Sequence, residues 1–326
     1  MSTTVSPEKI LKELAALWVE EGKQGGAGVL RACSMTLIVI AEESEDSVAI
    51  GETIASLMPE HPARAILVRL LPGNERALSE HVYQQCWRPF GQRQQICCEQ
   101  IELSASDAAL GDLPSVLLPL VVSDLPVILW CRSPRLIQMA EFEDLARLAT
   151  RVVVDSAAFA DAKQAMARLV QEQSRGLWVA DLTWTRLTRW REMLARTFEN
   201  REYLARLQQI EHVAVSFGPK YETAARYMGA WAHDTLAGVN VKTGLTVSKG
   251  ASSLSVELKG EAFRVALACE GGTLLVTVND LANRSSLGKI SDAQLMREEL
   301  AIMKRDLIFE RTLSSAARIA VSSSSE

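Results

Sequence analysis

The chain has 326 residues, of which 48% are hydrophobic and 23% charged, and a formal net charge of −5. That length suits about two domains with a sizeable core, and the acidic balance argues against general nucleic-acid binding. No apolar run approaches the roughly 18 residues of a membrane span. The opening stretch, with Glu8 and Glu13 and no apolar centre, does not read as a secretory or transit peptide. Cysteines stand at 33, 86, 97, 98, 131 and 269 with no C-x-x-C pair, so a reducing, cytoplasmic setting is expected.

Ser6-Pro7 reads as a helix start, and Ile10, Leu14, Leu17 and Trp18 recur at helical spacing. This stripe is expected to dock on its own chain. GKQGGAGVL then reads as a loop. From Met35 the pattern alternates. MTLIVIA is a buried strand, and Glu45 to Met58 a helix with Ile50, Ile54 and Leu57 on one face. ARAILVRLL is a second strand, Leu78 to Trp87 a helix, QICCEQIEL a third strand and Leu113 to Val122 a short helix. PVILWCR, a helix over Glu141 to Thr150, RVVVDSA and a helix over Ala162 to Gln173 follow.

After residue 198 the pattern changes. EHVAVSF is a strand, and Tyr221 to Leu236 a helix with Ala224, Met228 and Trp231 on one side. SSLSVELKG and FRVALACEGGTLLVTVND alternate apolar and polar residues around Gly-Gly, the mark of an antiparallel hairpin. Ser291 and Gln294 form a capping box that opens one long helix with Leu300, Met303 and Leu307 on its stripe, and the SSSSE tail reads as disordered. The fold class is therefore α/β. A mainly parallel N-terminal sheet flanked by helices (31–175) follows an N-terminal helix and linker (1–30), and a smaller α+β domain with an antiparallel sheet (176–326) closes the chain.

Catalytic motifs are missing. There is no G-x-x-x-x-G-K-[ST] and no G-x-S-x-G, and the glycine-rich stretch precedes the first strand instead of following it, so no cofactor is expected. Histidines 61, 81, 212 and 233 show no metal spacing. Cys97 and Cys98 face opposite sides of a strand and read as buried, inert thiols. With Cys131 they are also the candidates for redox sensing. His61 and Arg64 lead into the second strand, where they either hold an anion or are a helix stop and a solvated arginine. Asp155-Ser156 reads as a turn and cap pair, or as a catalytic carboxylate.

The most distinctive stretch is DLTWTRLTRWREMLARTF, residues 181–198. If Thr188 caps a helix, Leu187, Trp190, Leu194 and Phe198 form an apolar stripe that packs the two halves together. If the helix begins near Thr183, then Arg186, Arg189 and Arg196 share a face suited to carboxylates or phosphates.

DLTWTRLTRWRE resembles the hallmark of the OpcA family, the glucose-6-phosphate dehydrogenase assembly proteins. MTLIVIA, HPARAILV, CCEQIEL, LLPLVVSDLPVILWCR, RVVVDSAAF and EELAIMKRDLIFERTLSSA also resemble the family, in order, from about Met35 to Ala317. Arg189 stands where the family usually has Pro. The resemblance implies a non-enzymatic role in assembly or allosteric activation of glucose-6-phosphate dehydrogenase, with that enzyme as partner. It also implies redox control through cysteines in cyanobacterial members, although no regulatory cysteine pair is evident here. For a protein working by contact, Trp184, Arg186, Trp190 and Arg191 are the first candidates and Trp130 and Arg132 the second. The alternative is a sugar-phosphate- or nucleotide-binding module or enzyme, using the crevice at the strand ends near His61, Arg64, Trp130, Arg132 and Asp155.

Overall fold

The computed structural model describes residues 5–24, 29–87 and 95–323. By contacts the chain forms two compact units, Met1–Val154 with Gly176–Ala180 and Asp155–Arg175 with Asp181–Glu326. By contacts alone, residues 155–175 cluster with the second unit.

The first unit contains α1 (Pro7–Gln24), β1 (Val29–Arg31), β2 (Met35–Glu42), α2 (Ser47–Leu57), β3 (Ala63–Leu71), β4 (Leu78–Trp87) and β5 (Gln95–Ser106). It continues with α3 (Leu113–Leu117), β6 (Val127–Cys131), α4 (Pro134–Ile137), α5 (Glu141–Ala146) and β7 (Arg151–Val154). After α6 (Ala162–Ser174), β8 (Trp178–Asp181) completes a sheet of order β1-β5-β3-β2-β6-β7-β8, with β4 paired to β5. Pairings of β5 with β3, β3 with β2, β2 with β6 and β6 with β7 are parallel. Strands β2 and β6 are buried along nearly their whole length, as strands covered on both faces must be. Ile50, Ile54 and Leu57 of α2 are buried as the spacing predicts. Ile10 and Leu14 bring α1 onto β4.

Residues 78–87 form a strand, not the expected helix. Gln84 and Gln85 suit a helix locally, but ten consecutive residues pair antiparallel with β5, from Leu78 opposite Ala105 to Trp87 opposite Ile96. Tertiary pairing overrides so weak a propensity. β8 was not visible in the alternation, because its four residues are too short to carry a period.

The second unit holds α6, α7 (Leu182–Arg186), α8 (Thr188–Thr197), α9 (Arg201–Ala205), β9 (Ile210–Phe217), α10 (Glu222–Gly238), β10 (Gly244–Lys249) and β11 (Ser255–Gly260). β12 (Arg264–Glu270), β13 (Thr273–Val278), β14 (Leu281–Ser286), α11 (Asp292–Leu300), α12 (Leu307–Ala316) and β15 (Val321–Ser323) follow. Its sheet runs β14-β13-β12-β11-β9-β10-β15. It is mixed rather than purely antiparallel, since β9, β10 and β15 are parallel. The Gly271-Gly272 turn is as predicted. Both residues have positive φ, 55° and 78°, the conformation a two-residue hairpin requires. Gly229 lets α10 sit close on the sheet, for a Cβ there would meet Val247 at 3.0 Å and Leu245 at 3.3 Å.

The capping box at Ser291 and Gln294 is present. The long helix is not: it breaks after Leu300 and restarts at Leu307. Asp306 accepts from the backbone N–H of Ile308 and Phe309, and an Asp in that position ends one helix by capping the next. Met303 and Leu307, expected on the stripe, are 85% and 71% exposed. Ser322 and Ser323 lie in β15 instead of a disordered tail.

Candidate partner-binding site

In the first unit the chain order reverses at β2 and β6, the point where parallel α/β sheets bind ligands beyond the strand ends. The sequence leaving β2 is Glu42-Glu43-Ser44-Glu45-Asp46, without glycine or lysine. Asp46 caps α2 by accepting from Val48 N–H at 2.9 Å. Glu45 takes Arg132 through Nε at 2.8 Å and Nη2 at 2.7 Å. Glu42 accepts from the Ser133 hydroxyl and from Arg135 at 3.1 Å, while Arg135 also bonds Asp107. Carboxylates and their own arginines thus occupy this crevice. A phosphate placed here would meet negative charge and an already capped helix.

Trp130 is 1% exposed and lies under the Arg132 guanidinium at 4.7 Å. Arg64 is neither a solvated arginine nor an open anion site. It is buried on β3 and donates to Glu99 on the neighbouring β5 at 2.5 Å and to Leu120 O at 2.7 Å. Trp18 Nε1 donates to the same carboxylate at 2.8 Å. His61 stays half-buried in the turn before β3.

The cysteine expectations divide. Cys97 is disulfide-bonded, not an inert thiol; the β4–β5 ladder sets its Cα opposite that of Cys86. Cys98 and Cys131 are free and buried. Burial pushes the Cys98 thiol up to about 11 and the Cys131 thiol up to about 12, the reverse of what a reactive thiolate needs.

In the second unit, residues 181–198 form two short helices, α7 and α8, instead of one. Asp181 caps α7 by accepting from Thr183 N–H at 2.9 Å. Asp181 is 1% exposed and also accepts from Ser156 N–H at 3.0 Å and the Tyr227 hydroxyl at 2.7 Å. Burial, then the neighbouring Asp155, raises its carboxyl above the usual range, and Tyr227 is raised well above its own. Asp155 caps the short 3-10 turn Ser156–Ala158, as the turn reading expects. It also receives Arg186 through Nη1 at 3.2 Å and Nη2 at 2.8 Å, and the Thr183 hydroxyl at 2.8 Å. Burial works to raise Asp155, but Arg186, Thr183 and the Ala157 N–H outweigh it and hold the carboxyl below the usual range.

Trp184 is 5% exposed. Its Nε1 donates to Asp306 at 3.0 Å, and its ring packs against Tyr227 and Phe309, each with centroids 5.8 Å away. Arg191 stacks on that ring at 3.5 Å and donates to Trp184 O at 2.7 Å; burial brings its guanidinium down to about 10. Trp190 is also 5% exposed. Of the four motif candidates, then, Trp184 and Trp190 belong to the interior of this unit, and half-buried Arg191 is engaged with Trp184. Arg186, with a side chain 37% exposed, keeps N–H donors beyond those that hold Asp155.

Arg186 and Trp190 line a cleft of 440 Å³ in the same unit, together with Lys220, Tyr221, Leu254 and Lys289. Lys220 and Lys289 come from stretches the sequence pattern treated as plain loops, before α10 and before α11. The only signal for Lys220 is the Gly-Pro that precedes it. Nothing in the sequence marks Tyr227 as the partner of Asp181, or Asp306 as the partner of Trp184.

Residues 55–171 match a family model described as the glucose-6-phosphate dehydrogenase subunit N-terminal domain, and residues 178–313 match the model of the C-terminal domain. A protein of Nostoc punctiforme named as an OxPP cycle protein, OpcA, is 28% identical over 200 residues, which are 60% of this chain and 40% of that relative. The protein of the same name from Synechocystis sp. is 26% identical over 184 residues, 55% of this chain and 38% of the relative. The match thus takes in less than half the length of either relative. Among solved structures, an oxidoreductase from Thermotoga maritima has a TM-score of 0.48 at 9% identity, over 87% of this chain and 96% of its own. A dehydrogenase from Chromobacterium violaceum has a TM-score of 0.47 at 10% identity, over 87% and 93%. Likenesses this distant lend no activity to the chain.

Proposed function

The chain belongs to the OpcA family, whose two domains are those of a glucose-6-phosphate dehydrogenase subunit, and from that premise we propose that it is a non-enzymatic assembly factor or allosteric activator of glucose-6-phosphate dehydrogenase. It acts by protein–protein contact in the oxidative pentose phosphate pathway. The observation that carries the reading is the state of the first unit's strand ends. There Glu42, Glu45 and Asp107 are all ion-paired with Arg132 and Arg135 of the same chain and outnumber them. A crevice whose charged groups are satisfied internally favours a scaffold over a nucleotide enzyme. The burial of the Arg64–Glu99 pair likewise removes the anion site on which the alternative, a sugar-phosphate or nucleotide module, relied.

An activator must bind one conformation of its partner better than another, and the bias it exerts equals that difference in affinity. Half-buried Arg186, beside the cleft, and the exposed Arg189 and Arg196 are the parts of the distinctive motif that remain available for contact. Co-elution of the purified chain with the dehydrogenase of the same organism tests the reading. A stable complex supports it, and separate elution under both reducing and oxidising conditions refutes it.

A further inference from the structure

The cleft of the second unit has an unusual charge balance. Its lining includes Arg186, Lys220 and Lys289 and no carboxylate, in a chain whose net charge is −5. Between these cations the solvent-facing wall is apolar, with Tyr221, Leu287 and Ile290 among its residues. Lys220 and Lys289 are exposed, and neither has an ion-pair partner among the described residues. Arg186 is held in place by its paired contact with Asp155. The site is also built rather than incidental. Gly218 packs so tightly that a Cβ would meet Ser252 O at 2.5 Å, which fixes the loop carrying Lys220 against the loop carrying Leu254.

From this arrangement we infer that the cleft is the docking site for an extended segment of the partner protein, one that presents carboxylates next to apolar side chains. The inference rests on the proposed function and names the surface that serves it. Carboxylates of the segment meet Lys220, Lys289 and the free N–H groups of Arg186, while its apolar side chains cover Tyr221, Leu287 and Ile290. Steering by the rim lysines speeds encounter, and the apolar floor slows release. A free inorganic anion uses the cations but leaves the apolar walls in water, so a peptide segment fits the whole lining better.

The test uses the full chain and the dehydrogenase of the same organism. Binding is measured for the wild type, for Lys220→Glu/Lys289→Glu, and for Lys242→Glu, an exposed lysine outside the cleft. Thermal melting of each variant separates lost folding from lost binding. The double variant is expected to bind about tenfold more weakly and with a flatter salt dependence, the control within about twofold of wild type. Cys269, a free thiol in the lining, gives a second readout. Its alkylation by N-ethylmaleimide, followed by peptide mass spectrometry, is expected to slow when the complex forms. If the wild type binds but the double variant binds as tightly, or Cys269 reacts at the same rate in the complex, the docking site is elsewhere and the proposed function stands. Protection of Cys269 by inorganic phosphate or glucose 6-phosphate alone assigns the cleft to a small ligand and overturns the inference. If the wild type binds no dehydrogenase, the function and the docking site fall together.

Discussion

Tyr227 donates its hydroxyl to Asp181 at 2.7 Å, joining the helix that covers the second sheet to the residue that opens the Trp/Arg motif. Both residues are fully or almost fully buried. Replacing Tyr227 with Phe keeps the ring beside Trp184 but leaves a buried carboxylate short of one donor. The expected loss is about 1–3 kcal/mol of stability, read by denaturant unfolding. A loss below about 0.5 kcal/mol would mean that water replaces the hydroxyl freely.

Trp184 packs within the second unit, so Trp184→Ala is a stability variant and not a clean probe of binding. It should cost about 3–5 kcal/mol. Trp184→Phe retains an aromatic ring while removing the bond to Asp306, and should cost about 1–2 kcal/mol. Near-native stability of the alanine variant would contradict the packing described.

Arg64 and Glu99 form a buried pair in the first unit, at 8% and 4% side-chain exposure. Arg64→Met strands the carboxylate and should destabilise by about 3–5 kcal/mol. Arg64→Met combined with Glu99→Leu should recover part of that loss, because no charge is then left buried. A double variant no more stable than Arg64→Met alone would contradict this account.

Asp155 sets a pH dependence. Arg186, Thr183 and the Ala157 N–H hold its folded-state value below the usual range despite burial. A depressed carboxyl contributes stability that is complete above the ordinary value of about 3.9 and is lost as pH falls through the lowered one. Asp155→Asn should therefore be less stable than wild type by about 1–2 kcal/mol at neutral pH, a modest figure because Arg186 is partly exposed. The gap should narrow only below about pH 4. Urea melts across that range check it, and a gap that closes already between pH 5 and 7 would contradict the assigned sign.

Much of this molecule is legible in the sequence because its strands are long or strongly patterned. MTLIVIA and VILWC, buried on both faces, announce a parallel sheet, and Gly271-Gly272 announces the hairpin. Residues 78–87 were misread because a strand pairing with a distant partner leaves little local trace. The break at Asp306 was misread because a cap and a solvated aspartate look alike in sequence. Trp184 and Arg186 mark the stretch beside the cleft, but burial separates them, one in the interior and one facing the cleft. Lys220 and Lys289 meet there only through the fold, and spacing alone does not bring them together.

Steady-state kinetics of the partner enzyme test the central claim most directly. Glucose-6-phosphate dehydrogenase from the same organism is titrated with this chain while glucose 6-phosphate and NADP are varied. A saturable rise in kcat/KM, with no turnover by the chain alone, is the predicted result. Unchanged kinetics at every concentration, or turnover of these substrates by the chain by itself, would contradict it.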